Sequence, residues 1–388
     1  MCDDLDLLGY DFVLPNNLIA TTPITPKENA RLLIYHDGKI THTTFHKLFD
    51  YIPQDYLIVL NDTKVINARL FVNKLSLESL HKTRPHEMQT LQDYILPTKR
   101  EIFYHKWLSN NLHLVQIKGK AKLYDIFVLR WNNIDIFIQV LDIKNDGYKL
   151  VSFFTLHDIA AVREIALCKS HTDIFSHVDV LSQSQVLSVL QACGNIPLPP
   201  YMKRTSTEKD SKDYQSIFAR HDGSVAAPTA SLHFSESMFK VLKEKYDHAF
   251  VTLHVGAGTF KPVTSQNILN HKIHSESCLI KEQEVKKILN AKKLLCVGTT
   301  SMRSVEWLIR EDLTQLNGDI MGENTIFLHP LNPPKKVHAL LTNFHLPKSS
   351  LLMLVSSMIG RKETLRIYQE AIENKYRFYS YGDGMLII

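Results

Sequence analysis

Residues 249–260, AFVTLHVGAGTF, followed by LLCVG at 294–298 and TTSMRSVEWLIR at 299–310, decide the fold class of this 388-residue chain. AFVTLHV is a continuous apolar run that stops at a glycine-rich turn, the pattern of a strand buried on both faces. Glu284 to Lys293 then places Val285, Ile288 and Leu289 on one helical face, LLCVG returns to a buried strand, and Met302, Val305, Leu308 and Ile309 recur at helical spacing. Strand, helix, strand and helix in succession predict an α/β protein. In such sheets ligands gather where strands give way to helices, which is where Gly256, Gly258, Gly298 and Thr299 fall.

Outward from this stretch, the end of the chain, YRFYSYGDGMLII, alternates and then runs apolar, as a last strand entering the sheet does. Leu351 to Ile359 is the most apolar stretch; it reads as a buried helix with Ser349 as N-cap and Gly360 as its stop. Phe71 to Phe154 differs. LHLVQIKG, KLYDIFVLRW and DIFIQVLDI are short strand-like pieces separated by Asn, Asp, Gly and Lys turns, the pattern of a small all-β domain. With α/β sequence on both sides, this region reads as an insertion. Leu75 to Thr98 inside it is polar and aperiodic, a helical excursion or a loop, and Asp158 to Gln191 reads as helical. The expected architecture is a large α/β domain of residues 1–67 and 181–388, interrupted at 68–180 by a smaller inserted all-β domain with partly helical flanks.

The length exceeds what one hydrophobic core supports. Hydrophobic residues form 44% and charged residues 22% of the chain, the balance of a packed globular protein. Lys and Arg number 45 against 40 Asp and Glu, a net charge of +5 that permits a polyanionic partner without requiring one. Cys2, Cys168, Cys193, Cys278 and Cys296 contain no CxxC pair, so neither a disulfide framework nor a zinc ribbon is expected. Asp3, Asp4 and Asp6 reverse the charge of a secretory leader, and no apolar run approaches the roughly 20 residues of a membrane span. The expected location is the cytoplasm, and the expected state a monomer.

Two strings, SVAAPTASLHFS at 224–235 and VTLHVGAGTFKPV at 251–263, set His233 and His254 beside runs of small residues, which allow close backbone approach to a ligand. Taken alone, either histidine is equally a satisfied core residue. NDTKVINARL, GTTSMRSVEW and TNFHLPKSSLLMLVSSMIG repeat the mixture of reactive side chains at the edge of apolar runs, and that recurrence favours a reaction site. Gly256 and Gly258 resemble a fragment of a dinucleotide fingerprint but lack its third glycine and acidic partner, so no nicotinamide site is expected. His271, His274 and Cys278 would splay to both faces of a strand, so no metal is expected either.

These strings, together with DFVLPNNLIATTPITPKENARLL, GNIPLPPYMKR, DYQSIFARHDGS, HKIHSE and YRFYSYGDGMLI, resemble in order the S-adenosylmethionine:tRNA ribosyltransferase-isomerase family of queuosine biosynthesis. The resemblance implies transfer of the ribosyl group of S-adenosylmethionine to 7-aminomethyl-7-deazaguanine (preQ1) at the wobble position in a tRNA anticodon stem-loop. The ribose rearranges to give epoxyqueuosine, with adenine and methionine released. S-adenosylmethionine is then a consumed substrate, no cofactor is implied, and the fold that the resemblance implies is a large α/β (barrel-like) domain interrupted by a smaller inserted all-β barrel domain. The family usually carries Arg, Pro, Gly and Ala where Lys64, Asn67, Ser231 and Gly384 stand here.

That reaction needs a base for a ribose C5′ proton, a donor for the departing purine and an acceptor for a proton of the attacking amine. His254 and His233 are the first candidates, with Glu276 as a second base or a partner for the substrate's positive charge. A solvated strand-edge carboxylate is an equal reading of Glu276. Asp62 or Asp383 is the candidate amine acceptor, although Asn-Asp-Thr after a strand is also turn chemistry. Arg303 is a candidate for a carboxylate or phosphate, or else for a local salt bridge. His345 is a third proton-transfer candidate, and Gly256, Gly258, Thr299 and Thr300 are candidate substrate contacts. Lys64, Tyr201, Lys203, Arg204, Tyr214 and Arg220 combine cations and aromatics suited to an RNA loop.

Overall fold

The computed structural model describes residues 2–83, 90–109, 111–156, 161–162, 165, 178–256, 258, 262–311, 313 and 318–388. The chain divides into two compact units, Met1–Val65 with Leu198–Ile388, and Ile66–Pro197. Mixed α/β structure with large sheets is what the periodicities predicted.

The larger unit is built on β1 (Arg31–His36), β2 (Lys39–Thr44), β3 (Tyr56–Asn61) and the short β4 (Thr63–Val65). After residue 197 come β12 (His221–Ser224), β13 (His248–Leu253), β14 (Glu276–Ile280), β15 (Lys293–Val297), β16 (Ile320–Asn324), β17 (Ala339–Asn343) and β18 (Gly384–Ile387). Nine of these form one sheet in the order β16-β14-β13-β3-β15-β17-β18-β1-β2, while β4 pairs with β12. β13, β3, β15 and β17 run parallel. β18 lies antiparallel to β17 and parallel to β1. Among the described residues the ladder ends at β16 and β2, so pairing does not close this sheet into a ring.

Both faces of the sheet are covered, which is why its central strands read as unbroken apolar runs. Leu57 and Val59 of β3 join one core with Met302, Leu308, Leu352 and Tyr368. Ile58 and Leu60 join the other, with Phe45, Phe218, Phe234 and Leu242. The helix Thr299–Arg310 follows β15 directly, and its Glu306 is fully buried. Glu306 accepts from the backbone N–H groups of Lys335, Lys336 and Val337 at 2.8, 2.8 and 3.0 Å, fixing the chain that enters β17. The helix Ser350–Ile359 has Ser349 as N-cap, accepting from Leu352 N at 3.2 Å, and stops at Gly360 with φ +81°, as its sequence indicated. The helix expected to reach Lys293 spans Glu282–Asn290 instead, because Lys293 already begins β15.

The smaller unit holds β5 (Arg69–Leu75), β6 (Ile95–Trp107), β7 (His113–Ile117), β8 (Ile126–Trp131), β9 (Ile134–Ile143), β10 (Lys149–Thr155) and β11 (Asp179–Val180). Its strand order is β11-β10-β7-β6-β5-β8-β9, and β9 pairs again with β10. Of the Leu75–Thr98 stretch, Leu77–Lys82 is helical and residues 84–89 lie outside the described residues. Of the helical expectation from Asp158, Gln183–Cys193 is a helix capped by Ser182, while most of 157–177 lies outside the described residues. That helix packs on β5 and β8, so residues 181–197 belong to the smaller unit rather than, as expected, to the larger.

Asn61 closes β3 with its side chain. Its Nδ2 donates to Leu253 O, while Oδ1 accepts from Leu253 N and Thr63 N, each at 3.1 Å. The fully buried amide thus replaces a peptide group where β3 turns away from β13. Replacing Asn61 with Ala strands three backbone groups and should cost about 3 kcal/mol or more of stability in urea unfolding; a loss below about 1 kcal/mol would contradict this role.

Candidate active site

The carboxyl ends of β13, β3, β15 and β17 carry Asp62, His254, Thr299, Thr300 and His345 of the residues singled out above. In parallel sheets that edge is where ligands bind, because the chain leaves each strand into a loop or helix. A cavity of about 650 Å³ opens there, walled by Ala226–Ala230, Gly298–Thr300, Thr342, His345, Tyr379 and Ser380. Gly298, at φ +88°, turns β15 into its helix, so that the first-turn amides and the positive end of the helix dipole face the cavity. The Thr300 hydroxyl has no protein partner. His345 is buried, its Nε2 lies 3.0 Å from the Thr342 hydroxyl, and burial pushes its pKa down to about 3. It is neutral at pH 7.

A second cavity, about 450 Å³, shares Leu351 with the first and is lined by Gly258, His271, His274, Glu276 and Arg303. Glu276 is 3% exposed, which overturns its solvated-edge reading. One carboxylate oxygen accepts from Gly256 N at 3.0 Å, and the other pairs with Arg303 Nη1. Arg303 also donates from Nε to Ile326 O at 3.2 Å and from Nη2 to Asn324 O at 3.4 Å. Its fork is therefore committed to protein groups, and its carboxylate partner stands on β14, not, as the local alternative had it, at the end of its own helix.

His254 and His233, the first candidates, occupy different surroundings. His254 is not among the residues lining the 650 Å³ cavity. Its Nδ1 lies 2.7 Å from the Thr63 hydroxyl, and its ring packs so closely on Gly223 that a Cβ there would lie 2.8 Å from Cε1. Burial, then the neighbouring His221, pushes its pKa down to about 4, against a smaller upward pull from Asp222. Beside it Asp62 is buried, accepts from the Thr252 hydroxyl at 2.6 Å, and lies 3.6 Å from Nε2 of the half-exposed His221. Burial raises the Asp62 pKa against the pull of Thr252, His221 and Arg220. The sequence reading passed over His221, whose only signal was its place in FARHDGS beside a glycine.

His233 lines a separate cavity of about 280 Å³. Its ring stacks on Phe45 at 4.0 Å, its Nε2 lies 3.1 Å from Asn343 Nδ2, and burial followed by Lys27 and Arg377 pushes its pKa down to about 3. Phe45 reaches this position because Gly384 has no side chain; a Cβ there would lie 2.7 Å from the ring. The glycine that departs from the resembled pattern is therefore required by the packing.

Four other assignments are corrected. Asp383 is fully buried and accepts from the backbone N–H groups of Arg31 and Arg377 at 2.8 and 2.7 Å, so it ties chain segments together instead of facing a ligand. Tyr214 is fully buried and offers no ring to a base. The Tyr201 hydroxyl accepts from Ser380 N at 3.2 Å, and its ring meets Tyr379 edge-on at 4.0 Å. Arg204 forms a two-pronged pair with Asp210 at 2.6 and 2.7 Å, which holds the Asp210 pKa down to about 2. Lys203 remains exposed; Arg220 lies 4.2 Å over the Phe250 ring, and Lys64 pairs with Asp222 at 3.1 Å.

A cavity framed by a helix N-terminus, at the carboxyl edge of parallel strands, with neutral buried histidines nearby, is the ligand site of an α/β protein. The Queuosine biosynthesis protein family matches residues 7–387, and the chain belongs to that family. It is similar to the S-adenosylmethionine:tRNA ribosyltransferase-isomerase of Helicobacter acinonychis strain Sheeba, 45% identical over 99% of both chains. The protein of the same name in Helicobacter pylori strain HPAG1 is also 45% identical, over 99% of both. A crystal structure of S-adenosylmethionine tRNA ribosyltransferase from Thermotoga maritima is 25% identical, covers 98% of this chain and 100% of that chain, and gives a TM-score of 0.48.

Two outcomes follow from the site's electrostatics. Replacing Glu276 with Gln leaves Arg303 buried without its counter-charge and should cost about 3–5 kcal/mol in urea unfolding; adding Arg303→Met should recover much of it, and an additive double mutant would contradict the pairing. The second concerns pH. The folded pKa values of His233 and His345, about 3, lie below the ordinary 6.5, so the unfolded chain binds more protons between these values. Stability is then complete above pH 6.5 and falls on acidification towards pH 3, by about 1.4 kcal/mol per pH unit for each histidine. Urea titrations at a series of pH values test this, and His345→Gln should reduce the slope.

Proposed function

We propose that this chain transfers and isomerises the ribosyl group of S-adenosylmethionine onto preQ1 at the wobble position of a tRNA anticodon stem-loop, releasing adenine and methionine and leaving epoxyqueuosine. The family match over residues 7–387, with near full-length relatives named for that activity, carries the reading. S-adenosylmethionine is consumed as a substrate, with no further cofactor, and the protein acts as a cytoplasmic monomer. Among the described residues no helix is long and apolar enough to cross a membrane.

The geometry suits the chemistry in three ways. The sulfonium acidifies the adjacent C5′ protons, and a neutral histidine is able to accept one at pH 7. His254 is neutral there, next in sequence to Val255 of the cavity wall, and its Nδ1 is engaged by Thr63, which orients the ring. The purine then leaves with negative charge developing on its ring, which the first-turn amides at Thr299 and Thr300 favour. The incoming amine must lose a proton, and the acceptor is the buried Asp62 carboxylate, which meets the half-exposed His221 at 3.6 Å. The smaller unit, whose strand pairing returns from β9 to β10, we read as an inserted β-barrel domain. The exposed Lys203 and Arg220, with the half-buried Lys64, supply positive charge for RNA.

Incubating the protein with S-adenosylmethionine and preQ1-bearing tRNA should release adenine and methionine in equal amounts, with a ribosyl-derived mass gain on the wobble nucleoside. S-adenosylhomocysteine with a methyl-sized gain would contradict the reaction. His254→Ala should lower kcat by about 10²–10⁴-fold while leaving the thermal unfolding midpoint within a few degrees.

A further inference from the structure

The 280 Å³ cavity beside His233 shares Ser380 with the 650 Å³ cavity, so the two adjoin through that residue. Its walls carry charges of both signs, Lys27 and Asp213, with Pro23, Ile24 and Leu232 between them. Lys27 is half-buried and, among the described residues, its ammonium forms no hydrogen bond and no ion pair within 4 Å. Asp213 faces the same space, and its ion pair is a loose one, 3.8 Å to the exposed Lys209. The other basic groups nearby are occupied: Arg377 donates to Thr22 O, and Arg31 donates to Asn374 O and lies 3.9 Å from the centre of the Tyr376 ring. His233 is neutral, so Lys27 is the cation that this cavity presents.

A half-buried ammonium without a close counter-ion is unfavourable, and burial lowers the Lys27 pKa while Asp213 pulls it up. The arrangement becomes favourable when a ligand brings both charges at once. An α-amino acid group does so, with its carboxylate and ammonium on one carbon.

We propose that the cavity between Lys27 and Asp213 is an α-amino-acid subsite, in which Lys27 holds the carboxylate and Asp213 the ammonium of the methionyl end of S-adenosylmethionine. This deepens the reaction proposed above and rests on it. Ser380 marks the passage through which the methionyl chain joins the ribosyl group in the larger cavity. Neither residue touches the reacting carbon, so both are positioning residues, acting on affinity and on where the sulfonium lies.

The test is calorimetric titration of the full chain with S-adenosylmethionine, its decarboxylated form and its form lacking the α-amino group, using the wild type, Lys27→Met and Asp213→Asn. Circular dichroism melting checks that each variant folds. The wild type should prefer S-adenosylmethionine to the decarboxylated form by about 10- to 100-fold, the worth of a charge-assisted hydrogen bond. Lys27→Met should bring that preference below about threefold. Asp213→Asn should keep it but lose the preference over the form lacking the amino group. If the wild type shows no preference, or Lys27→Met keeps it undiminished, the subsite is overturned. Adenine release from preQ1-bearing tRNA, followed on the same preparations, reports on the reaction independently. Preference without adenine release supports the subsite and removes the reaction; adenine release without preference removes the subsite alone.

Discussion

The side chain of Asn61 is the constraint on which the site depends. β3 lies in the middle of the parallel strands, between β13 and β15, and its backbone pairing with β13 stops where the chain turns towards β4. At that point the amide satisfies Leu253 on both its N–H and C=O and ties off Thr63. The two strand ends are thereby held apart at fixed spacing. Asp62 and Thr63 leave one end and His254 leaves the other, so that Thr63 meets the imidazole and Thr252 meets the carboxylate. A backbone ladder continued by two more residues would have left no room for these contacts.

Around that edge, charge is either neutralised within the protein or left for a ligand, and the difference separates scaffold from site. Glu306, Asp383, Asp210 and the Glu276–Arg303 pair are buried and satisfied by backbone N–H groups or by each other. Such groups fix loops in place, because removing one partner strands the other in a poor solvent. His233, His254 and His345 are neutral at physiological pH for the same reason: burial disfavours their charged forms. What remains for a substrate is a set of neutral proton acceptors, a helix N-terminus and a few cations without close partners.

Local signals were legible in the sequence and distant partners were not. The helix from Ser350 was readable because its cap, its apolar run and its stopping glycine are contiguous. The central strands were readable because burial on both faces removes polar residues from them. By contrast, Asp383 bonds to a backbone group 352 residues away, and Arg303 finds Glu276 across 27 residues. No spacing rule connects such pairs. Tyr214 and Tyr201 followed the composition of an RNA-binding loop, yet Tyr214 is buried and Tyr201 is engaged by Ser380 and Tyr379, through packing that composition does not encode. Gly384 shows the same limit: only the approach of Phe45 explains it.

The most direct test of the account is a crystal structure of the protein with S-adenosylmethionine bound. The adenosyl group should occupy the cavity walled by Gly298–Thr300 and His345, with its amino-acid end directed past Ser380 towards Lys27. A ligand seated instead against Glu276 and Arg303, with the larger cavity left to solvent, would contradict it.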